Sequence, residues 1–128
     1  MTDTLPQSYQ QRFAGIARLY GEKALQRLYT AHFVVAGLGG VGSWSAEALA
    51  RSGVGRLTLI DMDDICVSNS NRQLHTVRET IGLSKTQVMA DRLLAINPLL
   101  QVTVVDDFLD ADNLAIYLGP QHDVVIDA

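Results

Sequence analysis

Short apolar runs and longer segments with helical periodicity alternate along the 128-residue chain. The predominantly apolar runs predict four β-strands, over residues 32–36, 57–60, 101–105 and 124–126. Most of these runs lack the strict alternation of polar and apolar residues that a half-exposed strand shows. They are typical of a parallel sheet that is covered on both faces.

The first helices are predicted by apolar residues that recur every three or four positions. This spacing indicates two short helices within residues 7–31, interrupted near Gly21. A further helix is predicted over residues 40–52, and Gly53 follows it in the place of a left-handed C-terminal cap.

Two more helices are predicted before the third and fourth strands. Ser84 and Gln87 form a capping box for the first of them, and Asn97-Pro98 ends it. The second is a short helix over residues 112–118. Strands that alternate with helices in this order indicate an α/β fold.

The predicted fold is a Rossmann-like α/β domain with a mostly parallel sheet and helices on both faces. A helical segment, residues 1–31, precedes this nucleotide-binding domain, residues 32–128. Because the fourth strand ends almost at the last residue, we expect the domain to be truncated, with its C-terminal half absent.

Composition narrows the classes of function. A net charge of −4 provides no basic surface for nucleic acid. A single cysteine excludes an internal disulfide framework and a multi-cysteine zinc site. The first residues lack the pattern of a secretory signal, and no apolar run approaches the roughly 18 residues that span a bilayer. We therefore expect a cytoplasmic protein without a membrane segment.

The strongest motif is a glycine-rich loop between the first strand and the next helix. It contains four glycines, Gly37, Gly39, Gly40 and Gly42. Glycines at this spacing allow a sharp turn, close approach of the backbone to a phosphate, and tight packing of helix on strand. Phosphates then lie on the helix N-terminus, where free N–H groups and the helix dipole attract anions. The sequence therefore predicts a nucleotide-binding site.

Acidic residues follow three of the predicted strands, at the sheet edge where ligands bind in this fold. Asp61 stands 19 residues after Gly42, close to the distance typical of a carboxylate that holds ribose hydroxyls. Asp127 is the second acid that we interpret as functional. For Asp63 and Asp64, a functional role and a turn-forming role are equally supported. For Asp106 and Asp107, the turn-forming role is favoured.

Two cationic residues decide between nucleotides. Arg72 lies just beyond the acidic loop, and Lys85 opens a helix, where a cation opposes the helix dipole unless an anion is bound. A nicotinamide cofactor needs the glycine loop and the ribose acid, but the outer phosphates of ATP also require neutralisation. Arg72, Lys85 and a Mg²⁺ ion on Asp127 provide it, so ATP is favoured over NAD.

Several other reactive or bulky side chains are interpreted as structural. Cys66 stands beside two carboxylates, which disfavour a reactive thiolate, so it is not assigned as a nucleophile. The spacing of His32, His75 and His122 suits no metal site. Trp44, on the first helical turn after the glycine loop, is predicted to pack in the core.

These motifs together resemble the adenylation domain of ubiquitin-activating-type enzymes, a family that includes the bacterial activators of sulfur-carrier proteins. The motifs that carry the resemblance are Gly37-x-Gly39-Gly40-x-Gly42, Asp61-x-Asp63, Asn69-x-x-Arg72-Gln73, Lys85 and Val124-Val125-Ile126-Asp127. Finer features, among them Val41-Gly42-Ser43-Trp44, are most similar to the branch of threonylcarbamoyladenosine dehydratases, which act on tRNA.

The resemblance implies a role for each matching residue. Asp61 would hold the ribose, Asn69, Arg72 and Lys85 the phosphates, and Asp127 the metal or the α-phosphate region. Gln73 would shape the site, and Asp63 and the four glycines would complete the nucleotide-binding set. Arg72, Lys85 and Asp127 are implied as the catalytic residues.

The resemblance also implies a reaction and partners. ATP with Mg²⁺ would adenylylate the carboxylate of the threonylcarbamoyl group on adenosine 37 of tRNA, and loss of AMP would close a ring. Members are typically homodimers, in which an N-terminal arginine reaches the ATP of the partner. Here Arg12 or Arg18 would take that part, because the usual second arginine of the motif is Gly15. A cysteine desulfurase and sulfur-acceptor system is a further partner.

Relatives of this type are about twice as long, so the tRNA-facing surface would belong to the missing half. Two alternatives stay open. The chain could adenylylate the C-terminus of a ubiquitin-like sulfur carrier, or it could be a non-catalytic or NAD-binding Rossmann module.

Overall fold

Four parallel strands form the centre of the computed structural model, which describes residues 4–119 and 121–128. The first three residues of the predicted helical segment therefore lie outside the described residues. The strands are β1 (His32–Ala36), β2 (Arg56–Ile60), β3 (Gln101–Val105) and β4 (Val124–Asp127). They lie in the order β3-β2-β1-β4, and each neighbouring pair is parallel. This order confirms the predicted Rossmann-like sheet.

Six α-helices surround the sheet in the described part of the chain. They are α1 (Gln7–Arg12), α2 (Ala14–Tyr20), α3 (Glu22–Thr30), α4 (Gly42–Arg51), α5 (Lys85–Ile96) and α6 (Leu114–Tyr117). Two short 3₁₀ helices, Val67–Asn71 and Arg78–Thr80, lie between β2 and α5. Each predicted strand and each helix from residue 40 onward is present, within a few residues of its predicted bounds.

The N-terminal segment contains three helices, so the prediction of two was wrong. The additional break lies at Phe13, whose φ of −114° and ψ of 24° interrupt the helical path. Its ring is buried against Tyr9, with ring centroids 4.9 Å apart. Tertiary packing, rather than a glycine or proline, therefore breaks the helix.

The predicted caps of α4 and α5 agree with the structure, with one exception. Gly53 adopts a left-handed φ of 95° just after α4. Ser84 accepts a hydrogen bond from the Gln87 N–H and caps α5. The side chain of Gln87 donates to Asp91 and does not bond the backbone N–H of Ser84, so only half of the capping box forms.

Helices lie on both faces of the sheet, but only one face is closely covered, since Thr103 and Val125 on the other face are exposed. Helices α4 and α5 pack on one face, where apolar side chains of the strands and helices form the core. The fully buried members of this core include Val35, Leu57, Leu59, Ala46, Ala50, Met89 and Leu93. On the opposite face, α6 and the loop after it line a cavity with His32, Thr58 and Thr103.

Helices α1 to α3 form a second apolar cluster at the end of the sheet where the strands begin. Leu5, Tyr9, Phe13 and Leu25 are its buried members. The Tyr9 hydroxyl donates to the Gly53 carbonyl at the end of α4, which docks the cluster on the domain. The opposite end of the sheet is thereby left to the glycine-rich loop.

Candidate functional site

The glycine-rich loop joins β1 to α4 at the carboxyl ends of the strands. Gly37 has a φ of 96°, which only glycine adopts without strain. A Cβ atom on Gly42 would lie 2.7 Å from the carbonyl carbon of Gly37 and closer still to its oxygen. Helix α4 therefore starts in direct contact with the turn, with its N-terminus at the loop.

Two side chains hold the peptide groups of Leu38, which lies inside this loop. The Leu38 N–H donates to Asp61 Oδ2 at 2.7 Å, and the Leu38 carbonyl lies 2.7 Å from His75 Nε2. Asp61 Oδ1 also accepts the N–H of Asp63 at 2.8 Å. A carboxylate has about four lone-pair directions, so Asp61 keeps acceptor capacity for the hydroxyls of a ligand.

Lys85 is the first residue of α5, and its side chain is not extended into solvent. The residue is only 6% exposed, and its N–H donates to the Asp63 carbonyl. Within the described part of the chain it forms no ion pair with a carboxylate. Most of the Lys85 side chain is buried, and its charge has no carboxylate partner among the described residues, so this position fits a ligand with negative charge.

The buried His75 lies close to Lys85. Burial is the main cause that lowers the pKa of His75, and the charge of Lys85 lowers it further. The Leu38 carbonyl and Asp61 act in the opposite direction but do not outweigh the burial. His75 is therefore a neutral hydrogen-bonding group at physiological pH, in keeping with its predicted structural role.

Arg72 lies against the glycine loop. A Cβ on Gly40 would meet its Cγ at 3.3 Å. Its guanidinium donates to the Ser68 carbonyl at 3.2 Å and to Asn71 Oδ1 at 2.9 Å. The remaining N–H groups of the exposed guanidinium can bind an anion.

Trp44 is not in the core, so that prediction was wrong. Its side chain is 52% exposed, and its indole N–H donates to the Arg72 carbonyl at 2.9 Å. The bond joins α4 to the backbone that carries the Arg72 side chain. An indole N–H requires an acceptor, and here the acceptor lies at the surface, 28 residues away.

Two amide side chains follow the acidic loop. Asn69 Oδ1 accepts the Cys66 N–H at 2.9 Å, so the donor end of Asn69 is the part suited to a phosphate. Gln73 is 7% exposed, and its Oε1 has no hydrogen-bond partner among the described residues. A buried acceptor without a partner is rare in folded proteins, so it fits a donor supplied by a ligand.

A cavity of about 290 Å³ opens at the carboxyl ends of β1, β2 and β4. It brings together Asp61, Asp63 and Asp127, which were all predicted from the sequence. Met62, Phe108 and Leu109 add an apolar wall, which sequence reasoning missed. The sequence marks them only as apolar residues that directly follow the acids at the end of β2 and after β3. Acids beside an apolar wall suit a ligand with hydroxyl groups and a flat ring.

The other acids and reactive side chains have local contacts. Asp107 accepts the Tyr117 hydroxyl at 2.9 Å and the Phe108 N–H at 2.8 Å, as a turn-forming residue does, and it also lines the cavity with Asp61 and Asp127. Cys66 is exposed, and its Sγ lies 3.8 Å from the Asp64 carbonyl. His32 bonds to the Gln121 carbonyl and to Thr58, as its predicted structural role requires.

The N-terminal arginines lie away from this site. Arg12 donates to the Ile96 carbonyl at 3.1 Å, at the C-terminal end of α5, and Arg18 is exposed on α2. Both therefore lie at the opposite end of the sheet from the glycine loop of their own chain. No group of three or more potential metal ligands occurs within residues 4–119 and 121–128.

The arrangement of glycine loop, acids and cations matches a known family. A model of the ThiF family aligns with residues 9–128. This chain belongs to the ThiF family. The ThiF chain is 57% identical, over its whole length, to tRNA threonylcarbamoyladenosine dehydratase of Escherichia coli (strain K12) and covers 48% of that protein. It is 37% identical to molybdopterin-synthase adenylyltransferase of the same strain, over 84% of this chain and 41% of that one.

Solved structures agree with the sequence comparison. The crystal structure of E. coli tRNA N6-threonylcarbamoyladenosine dehydratase, TcdA, in complex with ATP superposes with a TM-score of 0.96 at 57% identity. The superposition covers 98% of this ThiF chain and 52% of that chain. The chain thus spans about half the length of the curated relatives it matches. The resemblance and the fold class predicted from the motifs are confirmed.

None of the helices in the described part of the chain has the length and apolar character needed to cross a bilayer.

Proposed function

We propose that this chain is the nucleotide-binding part of an ATP-dependent, ligase-type tRNA threonylcarbamoyladenosine dehydratase. In this reaction, a carboxylate oxygen of the threonylcarbamoyl group on adenosine 37 forms a bond to the α-phosphorus of ATP. The bond from that phosphorus to pyrophosphate breaks at the same centre. Ring closure on the activated carboxyl group then expels AMP.

The observation that carries the ATP assignment is Lys85, which is 6% exposed and lies close to His75, the residue that bonds the Leu38 carbonyl of the glycine loop. A pyrophosphate such as that of NAD is bound mainly by backbone N–H groups at a helix N-terminus. A triphosphate places additional charge beyond the loop, and stabilising it requires cations. Lys85 is buried without a carboxylate partner in the described part of the chain, and Arg72 lies against Gly40. These two cations are arranged for the outer phosphates.

The other predicted residues take complementary roles in this proposal. Asp61 accepts ribose hydroxyls with the lone pairs that the loop leaves free, and Met62 and Phe108 contact the base. Asn69 donates its amide N–H groups to a phosphate, and Gln73 Oε1 accepts a donor of the bound substrate.

Mg²⁺ fits the same cleft, because it binds through one or two carboxylates together with substrate phosphates. Asp127, at the end of β4 in the cleft, would hold it, and the ion would offset the charge that develops on the phosphates. The absence of a three-ligand cluster among the described residues agrees with an ion held largely by the nucleotide.

The choice of tRNA over a protein substrate rests on the degree of similarity. Identity to the E. coli tRNA-modifying relative is 57% over the whole chain, against 37% over 84% of it for the adenylyltransferase relative. The chain covers less than half of either relative, so residues outside it would contribute to substrate recognition.

Calorimetry on the purified chain tests the nucleotide assignment. We expect ATP with Mg²⁺ to bind more tightly than NAD. Arg72→Ala should weaken ATP binding by about 1.5–3 kcal/mol, the scale of a hydrogen bond to a charged group. Arg78→Ala is the matched control, because among the described residues the side chain of that exposed arginine pairs with Glu79 alone. Tighter binding of NAD, unaffected by Arg72→Ala, would refute the assignment.

Pyrophosphate exchange separates the two adenylation substrates. We expect the exchange to be stimulated by threonylcarbamoyl-modified tRNA. Exchange that responds only to a carrier protein with a Gly-Gly C-terminus would favour the alternative reaction. Absence of exchange with both substrates would instead count against adenylation by ATP.

The remaining proposals concern assembly and location. We propose a homodimer in which Arg12 or Arg18 of one chain approaches the nucleotide of its partner. Arg12 bonds the Ile96 carbonyl at the C-terminal end of α5, away from the glycine loop of its own chain, and this position supports the proposed geometry. A cytoplasmic location and a link to a cysteine desulfurase and sulfur-acceptor system are part of the same proposal. Sedimentation velocity tests the dimer directly.

A further inference from the structure

The Leu38–Gly39 peptide is held from one side by a buried histidine. His75 is 2% exposed, and its Nε2 lies 2.7 Å from the Leu38 carbonyl. A carbonyl only accepts hydrogen bonds, so Nε2 carries the proton and donates. In the neutral ring Nδ1 is then an acceptor, and the Thr76 hydroxyl lies 3.2 Å from it. The bond to the Leu38 carbonyl thus assigns the tautomer of His75, and the Thr76 hydroxyl can donate to Nδ1.

Peptide geometry transmits this bond to the next N–H group. The peptide bonds of the described residues are trans, and in a trans peptide the C=O and N–H point in opposite directions. Because the Leu38 carbonyl points toward His75, the Gly39 N–H points away from it. Gly39 donates this N–H to no other described residue, so the group is available to a ligand.

The loop needs such a restraint because of its composition. Gly37 and Gly39 flank Leu38, and glycine backbones rotate with little steric hindrance. The side chain of Leu38 is fully buried and its N–H is bound by Asp61, which fixes one side of the residue. The Gly39 carbonyl, one peptide further on, accepts from the Ser43 N–H and hydroxyl. His75 is the described group that bonds the carbonyl of the Leu38–Gly39 peptide itself.

We propose that His75 is a positioning residue, which holds the Leu38 carbonyl so that the Gly39 N–H is directed at the phosphates of the nucleotide. This inference rests on the proposed ATP site. It assigns His75 no contact with substrate. The low pKa of His75 supports the role, because a neutral ring keeps the same tautomer across the physiological range.

Two amide replacements of similar polarity test the proposal. His75→Gln places an amide N–H group near the position of Nε2, whereas His75→Asn places it near Nδ1, too short to reach the Leu38 carbonyl. Affinities for ATP and for adenosine, which has no phosphates, are measured by competition. We expect His75→Asn to lose at least tenfold in ATP affinity with less than a twofold change for adenosine. His75→Gln should keep ATP affinity within about threefold of the original.

Equal ATP affinities for the two variants, or parallel losses of ATP and adenosine affinity, would overturn the proposal. Thr76→Val is the matched control, since it removes the bond to Nδ1 and leaves the Leu38 bond in place. If His75→Asn does not fold, ATP affinity in His75→Gln and Thr76→Val decides: a tenfold loss in either contradicts the mechanism. Failure of the proposed ATP site gives a different result from failure of the His75 proposal, because the unsubstituted chain itself would then bind ATP no more tightly than adenosine.

Discussion

Gly42→Ala places a methyl group where helix α4 meets the turn after β1. The added Cβ would lie 2.7 Å from the carbonyl carbon of Gly37 and even closer to its oxygen. Ordinary contacts of carbon atoms lie near 3.5 Å, so the helix must move away from the turn. Such overpacking costs about 1–3 kcal/mol. The better helix propensity of alanine offsets at most about 1 kcal/mol of this.

Because the clash is with backbone, we take the upper end of this range less the propensity gain, and expect Gly42→Ala to lower the free energy of unfolding by about 2 kcal/mol, measured by urea denaturation with an unchanged m-value. Gly40→Ala is the matched control within the same motif. Its Cβ would meet only the flexible side chain of Arg72, with Cγ at 3.3 Å, so a loss below about 1 kcal/mol is expected. A Gly42→Ala protein as stable as the Gly40→Ala protein would refute the close-contact argument.

Three further predictions concern stability. Tyr9→Phe leaves the buried Gly53 carbonyl without its donor and should cost about 1–3 kcal/mol in urea denaturation, whereas no loss would show that solvent replaces the bond. Burial raises the pKa of Tyr9 to about 12, so in the unsubstituted chain this bond should persist at pH 9. Ser84→Ala should cost about 1 kcal/mol by removing the cap of α5, and Ser84→Asp, which can also cap, should restore most of it. Because the pKa of His75 is lowered in the fold, the unfolded chain takes up a proton first as the pH falls through about 6.5. Stability should therefore fall with pH there, by at most about 1.4 kcal/mol per pH unit, and His75→Gln should flatten this slope. The hydrogen bond from Arg92 lowers the pKa of Glu47. The contribution of Glu47 to the free energy of unfolding is therefore lost only below about pH 4.5, outside the range in which His75 titrates.

Local signals made most of the fold predictable from the sequence. The apolar runs fixed the four strands, and Gly53 and Ser84 marked helix ends because their effect depends on the adjacent backbone alone. The break at Phe13 was not predictable in this way. It results from burial of the ring against Tyr9, and no glycine or proline marks it.

The positions of the candidate site residues were predicted better than the contacts that support them. Asp61, Asp63 and Asp127 meet in one cleft because carboxyl ends of parallel strands share an edge, a rule that needs only the order of the elements. Trp44 was misplaced because an aromatic residue on a helix is most often buried, while its partner, the Arg72 carbonyl, is distant in sequence. Phe108 enters the cleft through the conformation of a loop that has no periodic pattern.

The contacts around Leu38 connect the stability of this loop with its charge. Asp61 binds the Leu38 N–H, and the neutral His75 binds its carbonyl. A charged imidazole at this position would lie beside the buried Lys85, and two adjacent cations in a poorly solvated site repel each other. The neutral ring therefore has two consequences. It provides the donor to the Leu38 carbonyl, and it leaves the positive charge on Lys85 and Arg72, for which we propose a phosphate as the counter-ion.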